Sequence, residues 1–149
     1  MPSVSISDNG TVHNISHIPT GENPAGIVHY TTTGYTSINI MSTKPEDRPL
    51  SIDYPYNEND SLLDWAKVGR HIMTYCGPVS VNEWNSTHGT LTIGPMLNSH
   101  LPRWIGTSWE RNYTLFGRDT LRLSVRNDPA NITTYLFWER LGPSWLDGA

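Results

Sequence analysis

The stretch TSWERNYTLFGRDTLRLSV, residues 107–125, decides how the chain folds. Its two halves each alternate apolar with polar side chains, and the sequence Phe-Gly-Arg-Asp separates them. Alternation with a period of two places successive side chains on opposite faces of a strand. Glycine followed by polar residues is typical of a tight turn. The stretch therefore predicts a β-hairpin, with strands over 107–115 and 120–125 and a turn over 116–119.

Similar strand-like segments recur on both sides of this hairpin, separated by turns that contain glycine, proline or asparagine. The N-terminal region predicts a hairpin with strands around 4–6 and 11–18 and a turn at 8–10. The remaining predicted strands are 26–32, 35–42, 71–75, 79–82, 87–93 and 133–141.

One short helix interrupts the series of strands. Asp60 or Ser61 can cap it, and Gly69 can stop it. Its apolar stripe, which can pack on an end of the barrel, consists of Leu62, Leu63, Trp65 and Ala66. The preceding segment, 44–59, is polar and rich in proline, which predicts a loop. Whether this loop is a lid stays open.

The order of these elements predicts a meander, because strands follow one another without alternating helices. A meander of about eight strands avoids exposed edges by closing on itself. We therefore predict a single domain over residues 1–149. Its fold class is all-β, a closed antiparallel up-and-down barrel with one short helix at an end.

Composition excludes several classes of function. The 149 residues carry a net charge of −4, and no basic stripe indicates binding to nucleic acid. The single cysteine, Cys76, excludes an intramolecular disulfide. We find no metal-ligand spacing and no glycine-rich phosphate loop, so we expect no metal and no cofactor. No apolar run is long enough to span a membrane, and no secretion signal is evident, so we expect a cytoplasmic protein.

A series of motifs resembles the lipocalin-like domain family. They are Gly26-Ile-Val-His-Tyr30 with Gly34-Tyr-Thr-Ser37, Tyr75-Cys-Gly77, Pro102-Arg-Trp104-Ile-Gly106, Arg111-Asn-Tyr113, Gly117-Arg-Asp119-Thr-Leu121-Arg-Leu123-Ser124 and Leu136-Phe-Trp138-Glu-Arg140. The resemblance covers about 26–141 and implies a barrel with an interior ligand cavity. Some fungal proteins similar to this family are cofactor-free cyclases or isomerases. The family usually opens with a Gly-Thr-Trp strand, and residues 1–18 depart from that pattern because they contain no tryptophan.

Strand alternation also predicts which side chains face the interior, if the apolar member of each alternation points inward. The predicted substrate-binding residues are Tyr30, Ile38, Ile40, Tyr75, Trp109, Leu123, Trp138 and Arg140.

Three residues are candidate catalytic groups. Arg111 lies between aromatic residues on a face that should be apolar, so its guanidinium either grips a ligand oxygen or pairs with an internal acid or a backbone carbonyl. His88 is in phase with Thr90 and Thr92, and it offers an acid/base group if that face points inward; otherwise it is an exposed turn residue. Tyr113 can polarise a carbonyl or simply fill the core.

These residues predict an enzyme without a redox cofactor. In this hypothesis a cyclase or isomerase folds a hydrophobic polyketide or terpenoid intermediate inside the barrel. Arg111 and a tyrosine would stabilise negative charge on an oxygen, and His88 would move a proton. The alternative is a carrier that binds a small lipophilic ligand without changing it. A homodimer is a further expectation, since the tail that carries Trp145 could cover a second subunit.

Overall fold

The computed structural model of the protein describes residues 3–7, 12–13, 20–21, 23–127 and 132–142. Side chains are described for 20–21, 23–126 and 133–142. Strands dominate this part of the chain, as the alternating sequence pattern predicted. The predicted N-terminal turn at 8–10 and most of the strand predicted over 11–18 lie outside the described residues.

The described residues form ten strands and one α-helix. The strands are β1 (Ser3–Ser7), β2 (Val12–His13), β3 (Ala25–Tyr30), β4 (Tyr35–Met41), β5 (Ile72–Glu83), β6 (His88–Ile93), β7 (Asn98–Ser99), β8 (Trp109–Phe116), β9 (Thr120–Asn127) and β10 (Ile132–Glu139). The helix is α1 (Leu62–Arg70), and short 3-10 turns cover Pro45–Asp47 and Pro102–Trp104.

All ten strands belong to one antiparallel sheet. Its order is β2-β1-β10-β9-β8-β6-β5-β4-β3, with β7 paired to β5. Buried side chains from β4, β5, β6, β8, β9 and β10 share one hydrophobic core, so the sheet is strongly curled around its concave face. Among the described residues, the edge strands β2 and β3 do not pair with each other. The structure therefore confirms an all-β antiparallel half-barrel with one helix, whereas closure of the barrel stays a prediction.

The strands predicted over 71–75 and 79–82 form one continuous strand, β5, so the predicted break was wrong. Pro78, which lies in the gap predicted between these two strands, pairs with Tyr35 of β4. On its other side, β5 changes neighbour from β7 at Cys76 to β6 at Val79. Proline is tolerated there because no ladder hydrogen bond requires its missing N–H.

The strand register separates a concave from a convex face. Gly89, Leu91 and Ile93 of β6 lie opposite Tyr113, Arg111 and Trp109 of β8, and these residues point to the concave side. The buried core on this face comprises Ile38, Ile40, Tyr75, Leu91, Ile93, Met96, Tyr113, Leu123 and Trp138. This burial agrees with the inward phase predicted for β4, β8, β9 and β10.

Helix α1 forms as predicted, but the face that it buries is not the predicted apolar stripe. Ser61 caps it as expected, with its hydroxyl accepting a hydrogen bond from the backbone N–H of Asp64 at 3.2 Å. However, Leu62 and Leu63 of the predicted apolar stripe are 84% and 68% exposed. Residues 64, 67 and 68 form the partly buried face instead. A hydrogen bond of 2.7 Å from Ser51 Oγ to Asp64 Oδ2 also links the preceding loop to the helix, so polar contacts and not the apolar stripe hold α1.

Candidate functional site

A cavity lies where β3, an edge strand of the sheet, faces the C-terminal ends of β8 and β10 and the N-terminal end of β9. It measures about 560 Å³. Its lining comes from residues 26–30, 115, 118–121 and 138–141. The walls are mostly apolar, because Val28, Leu115, Leu121 and Trp138 all contribute to them. A mostly apolar cavity of this size is suited to a small organic molecule.

Tyr30 provides a polar group on the cavity wall, as predicted for a substrate-binding residue. Its side chain is 38% exposed and lines the cavity. Burial among the surrounding protein atoms raises the pKa of Tyr30 well above its usual value, and the nearby Tyr75 phenol raises it further. The Tyr30 hydroxyl is therefore a protonated hydrogen-bond donor at neutral pH.

Arg140 lies at the rim of the cavity and not in its interior. Its Nε donates a hydrogen bond of 2.9 Å to the carbonyl oxygen of Arg118 and lies 3.7 Å from Asp119 Oδ1. Both side chains of the ion pair are more than two thirds exposed, at 71% and 79%. Such an exposed ion pair contributes little to stability. Arg140 thus ties the end of β10 to the β8–β9 turn at the mouth of the cavity.

An aromatic cluster lies deeper on the concave face. The ring centroid of Trp109 is 5.4 Å from that of Tyr75 and 4.3 Å from that of Trp104, in edge-to-face geometry. The His100 ring packs on Trp104 at 5.2 Å and accepts or donates a hydrogen bond at Thr74. Sequence reasoning predicted Tyr75 and Trp109 but not Trp104 or His100. The only signal for Trp104 was its place in the Pro-Arg-Trp-Ile-Gly motif.

Arg111 is half-buried beside this cluster. Its Cζ lies 4.8 Å from the ring centroid of Trp109, and its Nη1 donates a hydrogen bond of 2.9 Å to the carbonyl oxygen of Glu110. Burial lowers the pKa of Arg111, and the nearby Tyr75 opposes this effect. Burial also raises the pKa of Tyr75, whereas the positive charge of Arg111 lowers it by a smaller amount. Arg111 and Tyr75 therefore both pack against the Trp109 ring on the concave face.

No carboxylate of the described residues forms an ion pair with Arg111. The sequence left two structural partners open for Arg111, an internal acid and a backbone carbonyl. An internal acid is not seen among the described residues. The other, a backbone carbonyl, is present at Glu110. A buried guanidinium has five N–H donors, so one carbonyl and one indole face leave most of its capacity unused.

Tyr113, the third predicted catalytic residue, packs against β6. The Tyr113 side chain is only 7% exposed and packs over Gly89, where a Cβ atom would lie 2.7 Å from the Tyr113 hydroxyl. Burial raises the pKa of Tyr113, and Glu83 raises it further. The hydroxyl therefore lies towards the β5–β6 turn, and the ring serves as core.

His88 lies on the convex face, so the condition for its predicted acid/base role is not met. The apolar residues Leu91 and Ile93 take the concave phase of β6, which leaves His88 in the opposite phase, paired with Thr114. The side chain is exposed, and its Nδ1 lies 2.8 Å from Thr87 Oγ1 and 3.3 Å from Asn85 Oδ1. These contacts belong to the turn before β6.

The other predicted binding residues divide between the core and the cavity wall. Ile38, Ile40 and Leu123 are buried at 5% exposure or less and hold the core together. Trp138 is buried at 5% exposure and also contributes to the cavity wall. Within the described residues, the buried atoms Trp138 Nε1 and Thr36 Oγ1 have no hydrogen-bond partner. An unpaired buried donor costs about 1–3 kcal/mol, and the fold carries this cost next to the cavity.

The described residues contain neither a metal-binding group of side chains nor a membrane-spanning helix. In the described part of the chain, no group of three histidine, cysteine, aspartate or glutamate side chains is arranged to hold a metal ion. Likewise, none of the helices found there is long and apolar enough to cross a membrane.

Comparison with known proteins establishes the family. The family model of the lipocalin-like domain matches residues 3–141, and the chain belongs to this family. No curated protein and no solved structure matches the chain. Membership in the family agrees with the curled antiparallel sheet and indicates a ligand-binding fold.

Proposed function

We propose that the protein binds one small apolar molecule on the concave side of its sheet. The observation that carries this proposal is the cavity of about 560 Å³, with mostly apolar walls, between β3 and the ends of β8, β9 and β10. Removing apolar ligand surface from water supplies the main driving force for such binding. The Tyr30 hydroxyl on the wall supplies a donor that orients an oxygen of the ligand.

The proposed ligand site also bears on the predicted closure of the barrel. The cavity lies between the edge strand β3 and the ends of β8, β9 and β10, which are distant in the order of the sheet. A ligand in this position contacts both sides at once. Ligand binding would therefore hold the two sides of the barrel together and stabilise the folded protein.

A pair of adjacent residues in β8 provides the test. Leu115 lines the cavity and is 39% exposed, so a tryptophan there has room to extend into the ligand volume. Phe116 is 48% exposed and belongs to the opposite phase of the strand. We expect Leu115→Trp to weaken binding of pyrenebutanol, a neutral apolar fluorescent probe, by about tenfold or more, which corresponds to about 1.4 kcal/mol. The control Phe116→Trp should bind as the wild type does.

Pyrene fluorescence, titrated with each variant, gives the dissociation constants, and thermal unfolding shows whether both variants fold. Equal binding by both variants would place the probe outside the cavity. Absence of probe binding to the wild type would contradict the proposal itself.

A second candidate function is the cofactor-independent cyclisation or isomerisation of a polyketide or terpenoid intermediate. The observation that favours it is the combination of a half-buried Arg111 with the protonated phenols of Tyr75 and Tyr30. A positive charge and two hydrogen-bond donors can stabilise an enolate-like oxygen as it forms. His88 is not part of this proposal, because its imidazole belongs to an exposed turn.

Turnover distinguishes the enzyme from the carrier. Candidate intermediates are incubated with the protein, and the products are separated by chiral chromatography with mass detection. An enzyme produces an isomer of unchanged mass, and Arg111→Ala lowers its rate of formation by about a hundredfold. Recovery of the unchanged molecule from the protein supports the carrier. The expectations of a homodimer and of a cytoplasmic location stay predictions.

A further inference from the structure

The arginine on the concave face lacks the partner that its position calls for. Arg111 is half-buried among aromatic residues, and within the described residues its only hydrogen bond goes to the carbonyl oxygen of Glu110. A guanidinium shielded from water is stable when an anion compensates its charge. Because no described carboxylate fulfils this role, the charge is available to an anion that comes from outside the chain.

The geometry around Arg111 places hydrogen-bond donors and apolar walls on the same side of the sheet. Arg111 and Tyr75 both pack against the Trp109 ring, at 4.8 Å and 5.4 Å from its centroid. The strand register joins this group to the cavity, because Val28 on the cavity wall lies opposite Ile38, and Ile38 lies opposite Tyr75. Tyr30 also lines the cavity, so the cavity wall and the group around Arg111 share the concave face.

We propose that the ligand is an apolar carboxylic acid, whose carboxylate pairs with Arg111 and accepts hydrogen bonds from Tyr75 and Tyr30 while its apolar body fills the cavity. This inference rests on the proposed binding function and names the chemical class of the ligand. Charge-assisted hydrogen bonds from guanidinium to carboxylate are among the strongest polar contacts in proteins. The group formed by Arg111, Tyr75 and Tyr30 is called the acid anchor below.

The surroundings of the acid anchor favour a monoacid. Arg111 is the one cation that contacts the aromatic cluster in the described structure. The charges at the cavity mouth are mixed in sign, since Arg140 and Arg118 lie next to Asp119 and Glu139. A second carboxylate on the ligand would therefore meet carboxylates as well as guanidinium groups on the cavity wall.

Two probes of matched shape test this inference, pyrenebutanoic acid and the neutral pyrenebutanol. We expect the wild type to bind the acid about tenfold more tightly or better, since loss of one charged hydrogen-bonded contact is worth at least that factor. Arg111→Gln should abolish this preference, because it weakens binding of the acid much more than binding of the alcohol. Arg111→Lys should restore part of it, because lysine keeps the charge but not the planar fork.

The matched control is Arg122→Gln, which removes a half-buried arginine from the convex face of the neighbouring strand. It should bind both probes as the wild type does.

A wild type that binds acid and alcohol equally, or an Arg111→Gln variant that keeps the preference, would overturn the carboxylic acid class while the binding function stands. Failure of both probes to bind the wild type would overturn both proposals. If Arg111→Gln does not fold, the comparison of the two probes on the wild type still decides the question.

Discussion

Arg111 and Arg122 lie on the neighbouring strands β8 and β9, and both are half-buried, but they occupy opposite faces of the sheet. On the convex face, Arg122 donates a hydrogen bond of 2.9 Å to Thr114 Oγ1. Its Cζ also lies 5.4 Å from the Phe116 ring centroid and 5.0 Å from that of Tyr135. On the concave face, Arg111 has one indole ring and one backbone carbonyl.

The difference between the two arginines separates a structural role from a ligand-binding role. Arg122 contacts side chains of two neighbouring strands, β8 and β10, so its charge and its alkyl stem contribute to the sheet itself. Arg111 combines partial loss of hydration with few partners among the described residues. A residue that costs stability on a wall next to a cavity is typical of a site that is completed by its ligand.

The largest expected effect is a loss of stability on the part of the concave face that lies outside the cavity, where the side chains are tightly packed. A Cβ atom on Gly89 would lie 2.4 Å from the carbonyl oxygen of Asn82 and 2.6 Å from Tyr113 Cε1. We expect Gly89→Ala to lower the free energy of unfolding by about 2–3 kcal/mol, because neither the backbone nor the buried ring can move away cheaply. Chemical denaturation measures this change.

The control for this substitution is Gly69→Ala in helix α1, where no atom lies within 4 Å of an added Cβ. There alanine should raise the free energy of unfolding by about 0.5–1 kcal/mol, because glycine is unfavourable within a helix. A Gly89→Ala variant as stable as the wild type would show that the concave face is loosely packed at Gly89. It would contradict the account in which this face is tightly packed outside the cavity.

A smaller effect sharpens the comparison of the two arginines. We expect Arg122→Gln to lower the free energy of unfolding by about 1 kcal/mol, since it removes a hydrogen bond and two ring contacts. Arg111→Gln should change it by no more than about 0.5 kcal/mol, or raise it, because the substitution also removes an uncompensated buried charge. Thermal unfolding of the two variants side by side provides the measurement. A larger loss for Arg111→Gln than for Arg122→Gln would assign the structural role to Arg111.

The smallest effect is the alkaline titration of Tyr30. Its pKa is raised above 10.0 in the folded protein, so the folded state holds this proton more tightly than the unfolded state does. The contribution of Tyr30 to stability is therefore fully present below about pH 10 and is lost as the pH rises beyond that value. Tyr30→Phe should make the decline of the unfolding free energy above about pH 10 shallower. An unchanged decline would mean that the Tyr30 phenol is not shielded at the cavity wall.

Local sequence patterns predicted the strands and their inward phase because alternation is a property of each strand alone. The 107–125 stretch folds into β8 and β9 as predicted, and the inward positions of Ile38, Leu123 and Trp138 follow from the same rule. Arg111 was recognisable for the same reason, as a charge in an apolar phase. For His88 the sequence left an inward and an exposed position open, although Leu91 and Ile93 already indicated the inward phase of β6.

Features that depend on tertiary contacts were beyond the sequence. The cavity joins β3 to segments about ninety or more positions later in the chain, 115–121 and 138–141, and only the curl of the sheet brings them together. The orientation of α1 was wrong because an apolar stripe carries no information about the hydrogen bond from Ser51 to Asp64. Trp104 joined the aromatic cluster from a 3-10 turn, where no strand alternation exists to predict its direction.

The central claim is that the concave face, and not the convex face or the exposed stripe of α1, receives the ligand. Its most direct test is a structure of the protein bound to pyrenebutanoic acid. We predict the pyrene ring in the cavity against Leu115 and Val28, with the carboxylate directed to the acid anchor at Arg111. A probe bound on the exposed Leu62 and Leu63 of α1, or beside Phe116 and Arg122 on the convex face, would contradict this account.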